Sequence, residues 1–184
     1  MLLERGADVN AQGGFHGNSL QAASSQGHDE IVQMLLARGA DVNAEGGEYG
    51  NVLHAACSFG HDKVVQMLLG RGADVNAEGG ESGNALQSAS FEGHDEIVQM
   101  LLQKGADANS QVGFYGNPLY AASFQGHDKI VQMLLEQGAD VHAPGKEYDN
   151  ALHAACLFGH DKIVQILLKR RADQCIWFRF PGAG

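Results

Sequence analysis

Residues 51–76 read NVLHAACSFGHDKVVQMLLGRGADVN, two short helical patterns split by Gly60-His61. Asn51 is a strong N-cap, because its side-chain carbonyl accepts an unpaired backbone N–H of the first turn. A first helix follows through Val-Leu-His-Ala-Ala-Cys-Ser-Phe, and Gly60 stops it. A second opens at His61 and Asp62 and runs to Arg71. An acid in its first turn and a base in its last complement the helix dipole, and Gly72 supplies the left-handed residue that ends it. Val64, Val65, Leu68 and Leu69 recur at the spacing of one apolar helical face. Residues 74–80 then read as a connecting loop, with Gly79-Gly80 suited to a tight turn.

Outward from this stretch, the same string returns every 33 residues. Gly-Ala-Asp begins at Gly6, Gly39, Gly72, Gly105 and Gly138, and Gly-His-Asp at Gly27, Gly60, Gly93, Gly126 and Gly159. Such a period is the signature of a solenoid array. Counted from Gly13, the complete units are 13–45, 46–78, 79–111, 112–144 and 145–177. Residues 1–12 make a partial repeat, and 178–184 a divergent tail expected to fray. Glycine, 25 of 184 residues, is about twice its ordinary share of roughly 7%. The 33-residue register assigns most of that excess to helix ends and loop tips. Met1 shares the phase of Met34, Met67, Met100 and Met133, so the pattern predicts a fragment of a longer array. At the other end Arg171 takes the Gly place and Cys175 the Asn place.

A 33-residue helix–loop–helix unit with Gly-His before its second helix resembles the ankyrin repeat. The resemblance implies an all-α fold: antiparallel helix pairs stacked into a curved solenoid, with loops projecting as hairpin-like fingers. The family's Thr-Pro-Leu-His signature stands here as Asn-Ser-Leu-Gln from Asn18, Asn-Val-Leu-His from Asn51 and Asn-Ala-Leu-Gln from Asn84. It continues as Asn-Pro-Leu-Tyr from Asn117 and Asn-Ala-Leu-His from Asn150. Asn replaces the Thr cap, and the chain has no Thr at all. The Gly-Gly-x-x-Gly-Asn variant is similar to arrays in large fungal multidomain proteins.

Composition narrows the function classes. The chain is 44% hydrophobic and 18% charged with a net charge of −10, which describes a folded, acidic protein. Nucleic acid is not an expected partner, since a duplex demands clustered Lys and Arg. No apolar run approaches the ~18 residues of a membrane span, so no membrane partner is expected either. The absence of a secretory pattern, the odd count of three cysteines and the lack of glycosylation sequons point to a reducing, cytoplasmic setting. The glycine loops lack the strand context or Lys-Ser/Thr of a phosphate cradle, so they read as turns and no cofactor is expected. His54, Cys57 and His61, repeated at His153, Cys156 and His160, have zinc-like spacing but no clear fourth ligand. Ordinary repeat positions explain them: Cys57 and Cys156 share the phase of Ser24, Ser90 and Ser123, a small buried site. A Cys57–Cys156 disulfide would have to bridge three repeats of ~8–10 Å each, well beyond the ~7 Å Cα limit. No group stands apart from the repeat pattern as a catalytic site should, and the chain is not read as an enzyme.

Function should lie where the repeats differ, at the finger tips and the ends of the first helices. The family resemblance implies that these columns line the concave face. The tips hold Phe15, then Glu48 and Tyr49, Glu81, Phe114 and Tyr115, and Tyr148; the helix ends hold Phe59, Phe91, Phe124 and Phe158. Of eight Phe and four Tyr, nine fall in these two columns, and aromatic side chains are favoured at interface hot spots. The alternative is that they pack over the glycine-rich tips or the neighbouring repeat. Tyr120, in the place of the family's His, is expected to act within its own repeat. Glu45, Glu48, Glu78, Glu81 and Glu147 make the fingers acidic. The expectation is a non-catalytic protein-interaction module binding a protein or peptide with basic and apolar residues. A scaffold assembling through uncapped solenoid ends is the alternative; the expected state is a monomer.

Overall fold

The structure, a computed structural model, describes residues 7–80 and 83–178, with side chains as far as Arg170. Within them lie five helix pairs: α1 Ser19–Ser25 with α2 Asp29–Ala37, α3 Val52–Ser58 with α4 Asp62–Gly70, α5 Ala85–Glu92 with α6 Asp95–Gln103, α7 Pro118–Gln125 with α8 Asp128–Glu136, and α9 Ala151–Leu157 with α10 Asp161–Phe178. The Asn caps work as their chemistry requires. Asn51 Oδ1 accepts the His54 N–H at 2.8 Å, and Asn18 and Asn84 close reciprocal capping boxes with Gln21 and Gln87. Pro118 opens α7, where its missing N–H leaves no helical bond unmade.

First helices stack on first helices, α1 to α3 to α5 to α7 to α9, and each rests on its own second helix. Their contact positions are small: Ala23, Ala55, Ala56, Ser88, Ala89, Ala121, Ala122, Ala154 and Ala155 are all buried. Small side chains let these helices approach more closely than the second helices do. The core is the apolar face anticipated for 51–76 and its copies: Val64, Val65, Leu68, Ile97, Val98, Leu101, Ile130, Val131 and Leu134 are wholly buried.

Gly-His couples one repeat to the next. The second-helix N-cap histidines make no side-chain cap bond to their own helix. Instead His61 Nε2 lies 3.0 Å from the Ser25 carbonyl, His127 Nε2 3.0 Å from that of Phe91 and His160 Nε2 3.0 Å from that of Phe124. Each ring thus caps the first helix of the repeat before. Gly93, left-handed at φ 84°, leaves room for this: a Cβ there would sit 2.5 Å from the His127 ring.

The fingers are short hairpins. Glu78–Gly79 (β1) pairs antiparallel with Gly83–Asn84 (β2), and single bridges join Gln12 to Asn18, Glu45 to Asn51 and Pro144 to Asn150. Their bases are joined by the Asp-x-Asn strings. Asn76 Nδ2 donates to the Gly105 carbonyl at 3.2 Å, and its Oδ1 accepts the Asp107 N–H at 2.9 Å. Asn10, Asn43 and Asn109 do the same to the next repeat. Each Asp accepts the N–H two residues on, as Asp74 does from Asn76 at 3.0 Å.

One column of the first helices holds the following finger. Gln21 Nε2 donates to the Gly46 carbonyl at 2.8 Å, and Gln87 Nε2 to that of Gly116 at 2.6 Å. His54 lies beneath Gly79, where an added Cβ would come 2.5 Å from its ring. Its Nε2 meets Ser88 Oγ at 3.1 Å. Tyr120 corrects the expectation of a role inside its own repeat. Its hydroxyl accepts the Tyr148 N–H at 3.3 Å, and its ring lies against Gly145 of the next finger.

At the far end, α10 runs on to Phe178. Gly39, Gly72, Gly105 and Gly138 end the other second-helix segments in left-handed backbone, φ 83–87°. Arg171 occupies that place here, and a side chain resists that conformation, so the helix continues. Residues 1–6 of the partial repeat and 179–184 of the tail lie outside the described residues.

Two outcomes are expected. Asn76→Ala removes both bonds to the next repeat and should cost about 1–2 kcal/mol in urea unfolding. Burial lowers the His54 pKa from 6.5 to about 4. Below pH 6.5 the unfolded chain therefore takes up a proton that the folded ring refuses. Stability should fall between pH 6.5 and 4 by up to about 3 kcal/mol. His54→Gln, the residue found at 21 and 87, should flatten that part of the stability–pH curve.

Candidate functional site

Position along the first helices and fingers determines which candidate rings meet. Phe91 and Phe124 close α5 and α7 at the same repeat position, and Phe59 and Phe158 follow α3 and α9 one position later. Three of the five fingers drop a tyrosine onto this row. Tyr115 stacks on Phe91 with centroids 4.0 Å apart and planes at 23°. Tyr148 stacks on Phe124 at 6.1 Å and 22°, and Tyr49 meets Phe59 edge-on at 5.4 Å. Phe124 is the hub: Phe91 lies 6.1 Å away, Phe158 4.6 Å and Tyr120 6.2 Å.

These contacts divide the alternatives left open by the sequence. Phe91, Tyr115, Phe124, Tyr148 and Tyr49 are half-buried, packed on rings of their own or the adjoining repeat. Phe59, Phe158, Phe15 and Phe114 stay exposed, Phe15 and Phe114 at 64% and 65%. Ring packing alone does not cover them.

Phe91, Phe114, Tyr115, Tyr120, Ala121 and Phe124 enclose a cleft of about 110 Å³, with Lys146 and Glu147 completing its wall. Its floor comes from α5 and α7 and its sides from two adjacent fingers. The surrounding charge is mainly negative. Burial and the nearby Glu92 carboxylate raise the Tyr115 hydroxyl pKa. Burial, the Glu48 charge and a hydrogen bond to Glu48 do the same at Tyr49. Tyr148 and Phe158 adjoin the cleft through Phe124, whereas Tyr49 and Phe59 form a separate pair with Glu48. Phe15 stands apart, touching only His16 among the described rings. Glu81 lies outside the described residues. Sequence reasoning did not single out Tyr120 or Lys146 as site residues. The available signal was Tyr120 itself, the largest residue in a column otherwise holding Gln21, His54, Gln87 and His153.

The His–Cys sets do not converge. His54 and His61 turn their Nε2 atoms to Ser88 and to the Ser25 carbonyl, and no three His, Cys, Asp or Glu among the described residues gather as metal ligands. Cys57 is buried, which pushes its thiol pKa up, whereas Cys156 is exposed. The equivalent helix face is covered by a following repeat in one case and open in the other.

A family model for ankyrin repeats, in three copies, matches residues 1–79, 20–112 and 86–176. The chain belongs to the ankyrin-repeat family. No curated protein matches it. Ankyrin repeats are generally protein–protein interaction modules, and the family is typically non-catalytic. No helix among the described residues is long and apolar enough to cross a membrane. In this ankyrin array the stacked rings should be energetically coupled. A double-mutant cycle of Phe91→Ala and Tyr115→Ala, read by urea unfolding, should give about 0.5–1.5 kcal/mol of coupling.

Proposed function

We propose that this ankyrin array, read as residues 1–177, is a non-catalytic module that captures a protein or peptide on the concave face of its fingers and first helices. One observation carries the reading: Phe114 and Phe158 remain exposed around an aromatic cleft, and Phe59 beside its own Tyr49, after the neighbouring rings have packed. Water-exposed rings in a row of half-buried ones offer large apolar area to a partner at little side-chain entropy cost. The binding set is Phe15, Tyr49, Phe59, Phe91, Phe114, Tyr115, Phe124, Tyr148 and Phe158. Glu48 and, by its repeat position, Glu81 form an acidic rim that steers basic partners. We assign the chain to a reducing, cytoplasmic setting, which fits its free Cys57 and Cys156.

Peptides selected from a random display library against the array test this. Phe124→Ala or Phe158→Ala should weaken the selected binders about tenfold, and Lys129→Ala on an outer helix should leave them unchanged. Binders indifferent to the rings but sensitive to the outer helices would overturn the reading. End-to-end assembly has its own support: Ile31 is 46% exposed where Ile97 and Ile130 are wholly buried, and Leu157 and Leu168 are exposed at the other end. Light scattering in which mass rises with concentration would favour it.

A further inference from the structure

We infer that the cleft between repeats three, four and five receives the guanidinium of an arginine carried on a basic partner segment. The inference rests on the concave-face reading above and specifies the chemistry of its occupant.

The lining is the first argument. Five rings and one alanine supply the apolar wall. The chain has Leu, Ile and Val in quantity and buries most of them in its core, yet none lines this cleft. An aliphatic guest would be served equally well by aliphatic walls. Ring faces add a negative quadrupole that attracts cations, and arginine uses it best because its flat, weakly hydrated head can stack on a ring. The cleft is also local to these repeats. At the positions of Phe91 and Phe124, repeats one and two carry Ser25 and Ser58.

Charge is the second. Glu147 lines the cleft, and Glu92 lies near enough to Tyr115 to perturb its hydroxyl. Either carboxylate offers two acceptors to a guanidinium fork. Lys146 is the one cation in the lining. Its stem lies over Gly116, where a Cβ would come 3.2 Å from Lys146 Cγ, and its side chain is exposed. A cationic guest must compete with this ammonium for the carboxylates. An aliphatic or proline-bearing guest would instead gain from it, as a donor to the guest's backbone carbonyls. Lys146 therefore separates the two chemistries by the sign of its effect.

The test uses the whole chain, with two N-acetylated, C-amidated pentapeptides, Gly-Arg-Gly-Arg-Gly and Gly-Leu-Gly-Leu-Gly. Aromatic proton–carbon shifts of Phe91, Tyr115 and Phe124 are followed by NMR. The arginine peptide should move these signals with a Kd at least about threefold below that of the leucine peptide. Glu147→Gln should weaken it about threefold, and Lys146→Met should tighten it by a similar factor. Both residues are exposed, so neither change threatens the fold. Movement of the same rings by the leucine peptide alone, or weakening by Lys146→Met, overturns the arginine assignment and leaves the concave-face reading standing. No ring movement with either peptide also overturns the assignment. Loss of the library binders' sensitivity to Phe124 and Phe158 is the separate sign that the face reading itself has failed.

Discussion

The hydrogen bonds that Asn10, Asn43, Asn76 and Asn109 make to the backbone of the next repeat are the constraint on which the structure depends. A finger base is irregular backbone, and its polar groups need partners that no helix or wide sheet supplies. The partial repeat and the first three complete repeats therefore each leave an asparagine to satisfy the Gly and Asp that follow about thirty residues later. His61, His127 and His160 of the Gly-His pairs turn back to cap the helix before. Forward ties at the fingers and backward ties between the helices make every repeat incomplete without its neighbours. Stability in such a stack is shared across interfaces.

That framework explains how one face can vary freely. Bonds through Asn, Asp, Gly and His involve backbone or repeated positions, so the side chains of the variable finger tips and helix ends carry no part of the ladder. Substituting Phe91 for Ser58, or Tyr115 for Ser82, changes the surface without changing the register. The ladder also holds adjacent fingers and first helices at a spacing that brings Tyr115 onto Phe91 and Tyr148 onto Phe124. A cleft results where two successive repeats supply rings and the next supplies Lys146 and Glu147. The chain's net charge of −10 then places this apolar site in a field suited to basic partners.

Much of the fold was legible because each signal is local. Asn51 caps the helix that follows it, Gly72 ends the one before, and Val64, Val65, Leu68 and Leu69 share a face by spacing alone. The Gly-His pair was legible as a helix boundary but not as a coupling, since the Ser25 carbonyl that His61 meets is 36 residues away. The same distance hid the match between bulky and bare positions. His54 lies under Gly79 and Tyr120 under Gly145, whereas Gln87 faces a finger with Val112 in the corresponding place. Read within one repeat, Tyr120 looks like an internal residue; beside the next repeat it is a finger anchor and a wall of the cleft.

By itself, the sequence determined the helices, their ends, the 33-residue register and the two columns in which the repeats differ. Each depends on backbone preference, capping or periodicity over a few residues. Only the tertiary structure decided which variable residues meet. Phe91, Tyr115, Phe124 and Glu147 come from successive repeats, and their convergence depends on the closeness of alanine-lined first helices and on the hydrogen bonds that hold the fingers above them. The same column can thus hold an isolated Phe15 at one finger and, three repeats on, Phe114 at the mouth of a cleft. Periodicity specifies the position, and the neighbouring repeats specify what that position becomes.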